Sequence, residues 1–221
     1  LTDRPYIAVE RMEHSGQKSS KTAWMFKDNI SSWTWEGYEG KIAIVDVYSS
    51  GDEVELFLND KSLGKKEAGK KNHFTATYEV PYEPGVLSAV AYRCGEAIGE
   101  YRIETAGKVQ RLHAEKVTEN EENLAYVKVW LEDKNGRLNM QETKKIHARI
   151  TGNGELEGFG TAEPAGEEDY FAEVLTSYEG CGMVAVRRKT AEKEEPAYIC
   201  FNVEGCEEIE IQIGGKKCEK N

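Results

Sequence analysis

The chain has 221 residues, 39% hydrophobic and 31% charged, which suits one large domain or two of about 100 residues each and is too rich in aromatics for a disordered chain. Its net charge is −11, and the basic pairs Lys65-Lys66, Lys70-Lys71 and Arg187-Arg188 are interspersed with glutamates, so neither nucleic acid nor an anionic membrane surface is an expected partner. The longest apolar run, I-A-I-V at residues 42–45, is far too short to span a bilayer.

Residues 1–40 read as a lead-in of distinct composition. The stretches T-A-W-M-F-K-D-N-I and S-S-W-T-W-E-G-Y-E-G hold three of the four tryptophans. A segment this aromatic packs against something. Trp33 and Trp35 are two apart, so on an extended chain their rings face the same way. They suit a platform for a sugar ring, and equally a hydrophobic plug against a neighbouring domain.

From residue 41 the apolar period is two. I-A-I-V-D-V-Y (42–48) reads as a strand, followed by E-V-E-L-F-L (53–58), in which Val54, Leu56 and Leu58 share one face. Asn59-Asp60 supplies a tight turn that needs positive φ, and residues 62–66 return as its partner strand. Further strands are predicted at 73–80, 86–93 and 97–105, the last two joined by a second tight turn at Cys94-Gly95-Glu96. Two similar hairpins separated by P-Y-E-P-G describe a small Greek-key sandwich over residues 41–106.

Gly107-Lys108 marks a boundary, after which the pattern restarts. Strands are predicted at 110–116, 124–133, 145–151, 170–176, 182–188, 197–203 and 208–213, giving a second sandwich over 107–214 and a tail at 215–221. The glycine-rich stretch G-N-G-E-L-E-G-F-G (152–160) is expected to be a loop shaped by its backbone. The predicted fold is all-β: two consecutive immunoglobulin-like antiparallel sandwiches behind an aromatic lead-in.

Residues that carry chemistry do not converge in this sequence. G-x-S-x-G, H-E-x-x-H and Walker patterns are absent. The acidic run 119–122 reads as a solvated loop, and Glu167-Glu168-Asp169 lacks the spacing that wraps a calcium ion. His113 and His147 stand singly in predicted strands. Cys94, Cys181, Cys200, Cys206 and Cys218 form no C-x-x-C pair and read as reduced thiols, which points to a cytoplasmic compartment. No catalytic residue, metal ligand or cofactor is assigned.

Several long motifs in order resemble a known family. W-T-W-E-G-Y-E-G-K, V-D-V-Y-S-S-G-D-E-V-E-L-F-L-N-D-K-S-L-G-K-K and V-P-Y-E-P-G-V-L-S-A-V-A-Y-R are similar to the region after the catalytic barrel of bacterial family 2 glycoside hydrolases, the β-galactosidases and β-glucuronidases. L-A-Y-V-K-V-W-L-E-D-K-N-G-R-L, I-T-G-N-G-E-L-E-G-F-G and T-A-E-P-A-G-E-E-D-Y are similar to their C-terminal immunoglobulin-like domain. The family's hairpin reads L-N-G-K, whereas Asp60 stands here in the glycine position. The resemblance implies non-catalytic accessory domains whose partner is the barrel of the same polypeptide. That barrel, with its pair of glutamates about 5–5.5 Å apart in retaining enzymes, lies N-terminal to these motifs. It further implies homo-oligomer contacts and carbohydrate near Trp33 and Trp35. An independent carbohydrate-binding module is the alternative.

Overall fold

A computed structural model of the chain describes residues 2–15, 27–119, 123–189 and 195–215, the side chain of Glu119 excepted. Trp24, the rest of the acidic run, Cys218 and nearly all of the tail lie outside the described residues. The chain divides into two compact units, Leu1–Thr105 and Ala106–Asn221. Among the described residues there is no α-helix, and none long and apolar enough to cross a membrane.

In the first unit β1 (Tyr6–Glu10), β2 (Asn29–Ile30), β3 (Ile42–Tyr48), β4 (Glu53–Leu58), β5 (Lys61–Glu67), β6 (Thr75–Pro81), β7 (Val86–Arg93) and β8 (Glu96–Glu104) form two antiparallel sheets. Their orders are β2-β1-β3-β6 and β5-β4-β7-β8. Alternation decides which side is inside. Ile7, Val9, Val45, Val47, Tyr78 and Val80 of one sheet meet Val54, Leu56, Leu87 and Ala89 of the other in a single core. Each such side chain stabilises the fold by about 1.5–3 kcal/mol through removal of apolar area from water.

The lead-in contributes two strands that the sequence reading did not place, β1 and β2, which pair with each other. β1 pairs with β3 along Tyr6–Tyr48 to Val9–Val45, so residues before 41 build part of the first sandwich. Asp46, on the outer side of β3, is 0% exposed. Its carboxylate accepts hydrogen bonds from Lys27 Nζ at 2.6 Å, Asn29 Nδ2 at 2.9 Å and Thr77 Oγ1 at 2.6 Å, the pairing a buried charge requires.

Both predicted hairpin turns form with left-handed residues at the bend, Asn59 (φ 50) and Asp60 (φ 63) in one, Cys94 (φ 52) and Gly95 (φ 85) in the other. Asn59 does more than turn the chain. Its Oδ1 accepts the Val86 N–H at 2.8 Å and its Nδ2 donates to Pro84 O at 3.3 Å, fastening the first hairpin to the P-Y-E-P-G connection. His73 and Phe74, expected to begin a strand, are both left-handed (φ 53 and 60), and extension starts only at Thr75.

The second unit has β9 (Arg111–Glu119), β10 (Leu124–Glu132), β11 (Lys145–Gly152), β12 (Gly154–Gly160), β13 (Val174–Thr176), β14 (Cys181–Arg188), β15 (Ala197–Val203) and β16 (Ile209–Ile213). They pair as β12-β14-β10-β9 and β13-β11-β15-β16. Val127, Val129, Leu131, Val184 and Val186 face Ile146, Ala148, Ile199, Phe201 and Ile213 across the core.

Two expectations fail here for physical reasons. The glycine-rich stretch is a strand, not a loop. Gly154 is buried where a Cβ would stand 2.7 Å from Ala197 Cβ, so glycine there answers close packing. Residues 170–173, expected as strand, are irregular, and β13 is only three residues long. Tyr170 and Phe171 are exposed, so no sheet face demands their alternation.

Candidate functional site

Trp33 and Trp35 are both 0% exposed and belong to the first core. Trp33 packs edge-on against Tyr82 at 5.0 Å between ring centroids, and its Nε1 donates to Glu83 O at 3.0 Å. The Trp35 backbone N–H donates to the Tyr82 hydroxyl at 3.0 Å, and Thr105 Oγ1 donates to Trp33 O at 2.6 Å. The structure thus corrects the reading of these residues as an open platform: in this chain neither ring offers a face to a sugar. The reason is area, since each aromatic side chain of this size removes about 150–250 Å² from water when buried. Trp35 Nε1 is buried with no hydrogen-bond partner among the described residues.

Of the remaining candidates, His113, Glu168 and Asp169 have structural occupations. His113 stacks on Trp130 at 4.3 Å, and the Trp130 Nε1 donates to Glu132 at 2.8 Å. Glu168 accepts from Thr176 N at 2.8 Å and from Thr176 Oγ1 at 2.6 Å, which hold its pKa low. Asp169 Oδ1 accepts the Phe171 N–H at 2.9 Å. Among the described residues no group of three or more His, Cys, Asp or Glu is placed to hold a metal ion. Cys94, Cys181, Cys200 and Cys206 are free thiols. Burial raises the pKa of Cys181, Cys200 and Cys206, and Glu210 beside Cys200 raises it further.

The second unit contains a cavity of about 520 Å³. Its walls come from Lys128 on β10, Gly160 to Ala162 at the end of β12, the turn at Tyr178-Glu179, and the start of β14 at Cys181–Met183. The turn is a tight one. Tyr178 and Cys181 exchange backbone hydrogen bonds at 3.2 and 3.0 Å, while Glu179 (φ 51) and Gly180 (φ 68) are left-handed. Gly180 is obligatory there, because a Cβ would stand 2.2 Å from Asn139 O. The turn is also pinned to the sheet, since Leu131 N donates to Gly180 O at 2.9 Å.

Beside this cavity lies Tyr170, whose ring covers Gly160 so closely that a Cβ at that position would be 2.5 Å from Tyr170 Cδ1. Tyr170 is nonetheless 56% exposed. The Phe159 N–H donates to Tyr170 O at 2.6 Å and ties the loop to β12. The residues around the cavity thus include the polar Lys128, Thr161, Tyr178 and Glu179, and Tyr170 packs on the neighbouring strand end at Gly160. Sequence reasoning missed this group. Its residues come from four separated segments, and the only local sign was the turn dipeptide Glu179-Gly180.

Comparison with known proteins gives the following. Residues 111–212 match the family described as glycoside hydrolase family 2 C-terminal domain 5, and residues 40–99 match a domain family of unknown function, DUF4982. The chain is 28% identical over 189 residues to a beta-galactosidase of Bacteroides ovatus, BoGH2A, covering 84% of this chain and 22% of that protein. A solved family 2 glycosyl hydrolase of Bacteroides cellulosilyticus is similar with a TM-score of 0.87 and 31% identity, over 98% of this chain and 29% of that one. A family 2 beta-glucuronidase shares the fold, with a TM-score of 0.75 at 18% identity, over 100% of this chain and 21% of that one. The chain thus spans less than a third of the length of each of these relatives.

Proposed function

We propose that the chain is the non-catalytic accessory part of a family 2 glycoside hydrolase, one acting on terminal β-galactosides or β-glucuronides, because residues 111–212 match a C-terminal domain of that family and nearly the whole chain is similar to a minor part of such enzymes. In this reading the two sandwiches support the barrel of the same polypeptide and take part in its oligomer contacts. Trp33 and Trp35 act from inside the first core, stiffening the segment that leads into it. The observation that carries the reading is the pairing of 98% coverage of this chain with 29% coverage of a solved relative at a TM-score of 0.87.

The test compares this 221-residue chain with the full polypeptide on nitrophenyl β-galactoside and nitrophenyl β-glucuronide. The chain alone is expected to give no turnover above buffer, and the full polypeptide to hydrolyse one of the two. Robust hydrolysis by the chain alone would overturn the assignment.

A further inference from the structure

We propose that Asn135 is a site of spontaneous deamidation in the folded protein, that the fold withholds the same reaction from Asn153, and that the product loosens the turn after β10. The sequence holds two Asn-Gly pairs, Asn135-Gly136 and Asn153-Gly154. Glycine favours the reaction because no Cβ obstructs the approach of its nitrogen to the preceding side chain. Water is the one co-reactant. The Gly136 nitrogen attacks Asn135 Cγ and gives up its proton. The new C–N bond closes a cyclic imide as the Cγ–Nδ2 bond breaks and Nδ2 leaves as ammonia. Water then opens the ring at either carbonyl, which yields aspartate or the isomer linked through its side chain.

The first pair is accessible. Asn135 is exposed on the turn that follows β10, and its side-chain amide makes no hydrogen bond among the described residues. The attacking nitrogen is engaged by one backbone bond, Gly136 N–H to Asp133 O at 3.1 Å. Asp133 Oδ1 accepts the N–H groups of Asn135 at 2.8 Å and Arg137 at 2.9 Å, which keeps the turn closed. A surface turn opens locally without unfolding its sheet, so these bonds set the rate of the reaction rather than forbid it.

The second pair is enclosed. Asn153 is 8% exposed, and its Nδ2 donates to Glu195 O at 3.4 Å. Its backbone N–H donates to Pro196 O at 3.1 Å, and its carbonyl accepts the Lys189 N–H at 3.3 Å. Gly154 is buried at the start of β12, so close to Ala197 that a Cβ would stand 2.7 Å from the alanine Cβ. The rotation that would carry Asn153 Cγ to the Gly154 nitrogen has no space, and it would break several bonds at once.

Conversion at 135 adds a carboxylate to the turn that the buried Asp133 carboxylate closes, and the isomer lengthens the backbone there by a methylene. Both changes oppose the bonds by which Asp133 ties this turn to the Gly107 N–H.

The experiment incubates this chain in warm neutral buffer and follows the peptides spanning each pair by mass and by enzymatic methylation of isoaspartate. Asn135 is expected to convert while Asn153 stays intact, and in denaturing urea both should convert at similar rates. Asp133→Ala should speed conversion at Asn135 about tenfold, the change that loss of one or two such bonds corresponds to. Asp133→Asn, which keeps the two bonds to the turn, should convert at nearly the wild-type rate. The converted chain, separated by anion exchange, should show a lower urea midpoint in the second unit and an unchanged one in the first. An Asn135 that stays intact in the folded chain while urea converts it would overturn the proposal. So would an Asn153 that converts as fast as Asn135 in the folded chain, a rate unchanged in Asp133→Ala, or a converted chain as stable as its parent.

Discussion

Asp133 holds the start of the second unit to the turn after β10, and its replacement tests how that unit is closed. The residue is 1% exposed. One carboxylate oxygen accepts the N–H groups of Asn135 at 2.8 Å and Arg137 at 2.9 Å; the other accepts the Gly107 N–H at 2.9 Å. Burial alone would raise its pKa, but these three donors and the Arg137 guanidinium outweigh burial and hold it below the usual carboxylate range. Asp133→Ala removes three bonds to a charge. Gly107 and Asn135 are exposed and regain water, so the lower figure of about 1 kcal/mol per bond applies and the loss is about 3 kcal/mol. Asp133→Asn keeps the two bonds to the turn but turns an NH2 toward the Gly107 N–H, for a loss of about 1–2 kcal/mol.

The assay is urea unfolding followed by methyl NMR, reading Val129 and Leu131 for the second unit and Val45 and Leu56 for the first. A lowered folded-state pKa means that the carboxylate's stabilisation is fully present above the ordinary aspartate value and disappears as pH falls through the depressed one. The gap between wild type and Asp133→Ala should therefore close in acid. If the alanine variant lost under 0.5 kcal/mol, or the first unit's midpoint moved equally, this account of the turn would be refuted.

Tyr78→Phe should cost the first unit about 1–1.5 kcal/mol, since the hydroxyl donates to Val54 O at 2.7 Å inside the core. Burial, then Glu55, pushes the Tyr78 pKa up to about 12, so the stability it confers holds below pH 10 and is lost as pH rises toward 12; ultraviolet titration should show one tyrosine ionising late. Gly154→Ala should destabilise the second unit by about 1–3 kcal/mol through its clash with Ala197, measured by the same unfolding assay. Asp60→Gly should stabilise the first unit by about 0.5–1 kcal/mol, because φ is 63 there and glycine adopts it without strain; a lowered urea midpoint would contradict this.

Period-two alternation was legible from residue 41 onward, and it placed β3, β4, β7, β10 and β15 nearly to the residue. Turn chemistry was equally local: Asn59-Asp60 declares its positive φ in two letters, and Cys94-Gly95-Glu96 reads as a second tight turn. What local pattern could not supply was burial that comes from elsewhere in the chain. Trp33 and Trp35 read alike as platform or plug until Tyr82 and Thr105, some 50 and 70 positions on, were seen to close over them.

The same holds for the glycine-rich strand β12, whose small residues answer neighbours on β14 and β15 and the Tyr170 ring. The sequence by itself determined the fold class, the duplication of the sandwich and the likeness to a glycosidase region, because these rest on patterns repeated within a few residues. Tertiary structure alone decided which aromatics are buried and where a cavity forms. Those outcomes depend on contacts between segments far apart in the chain, and no local period records them.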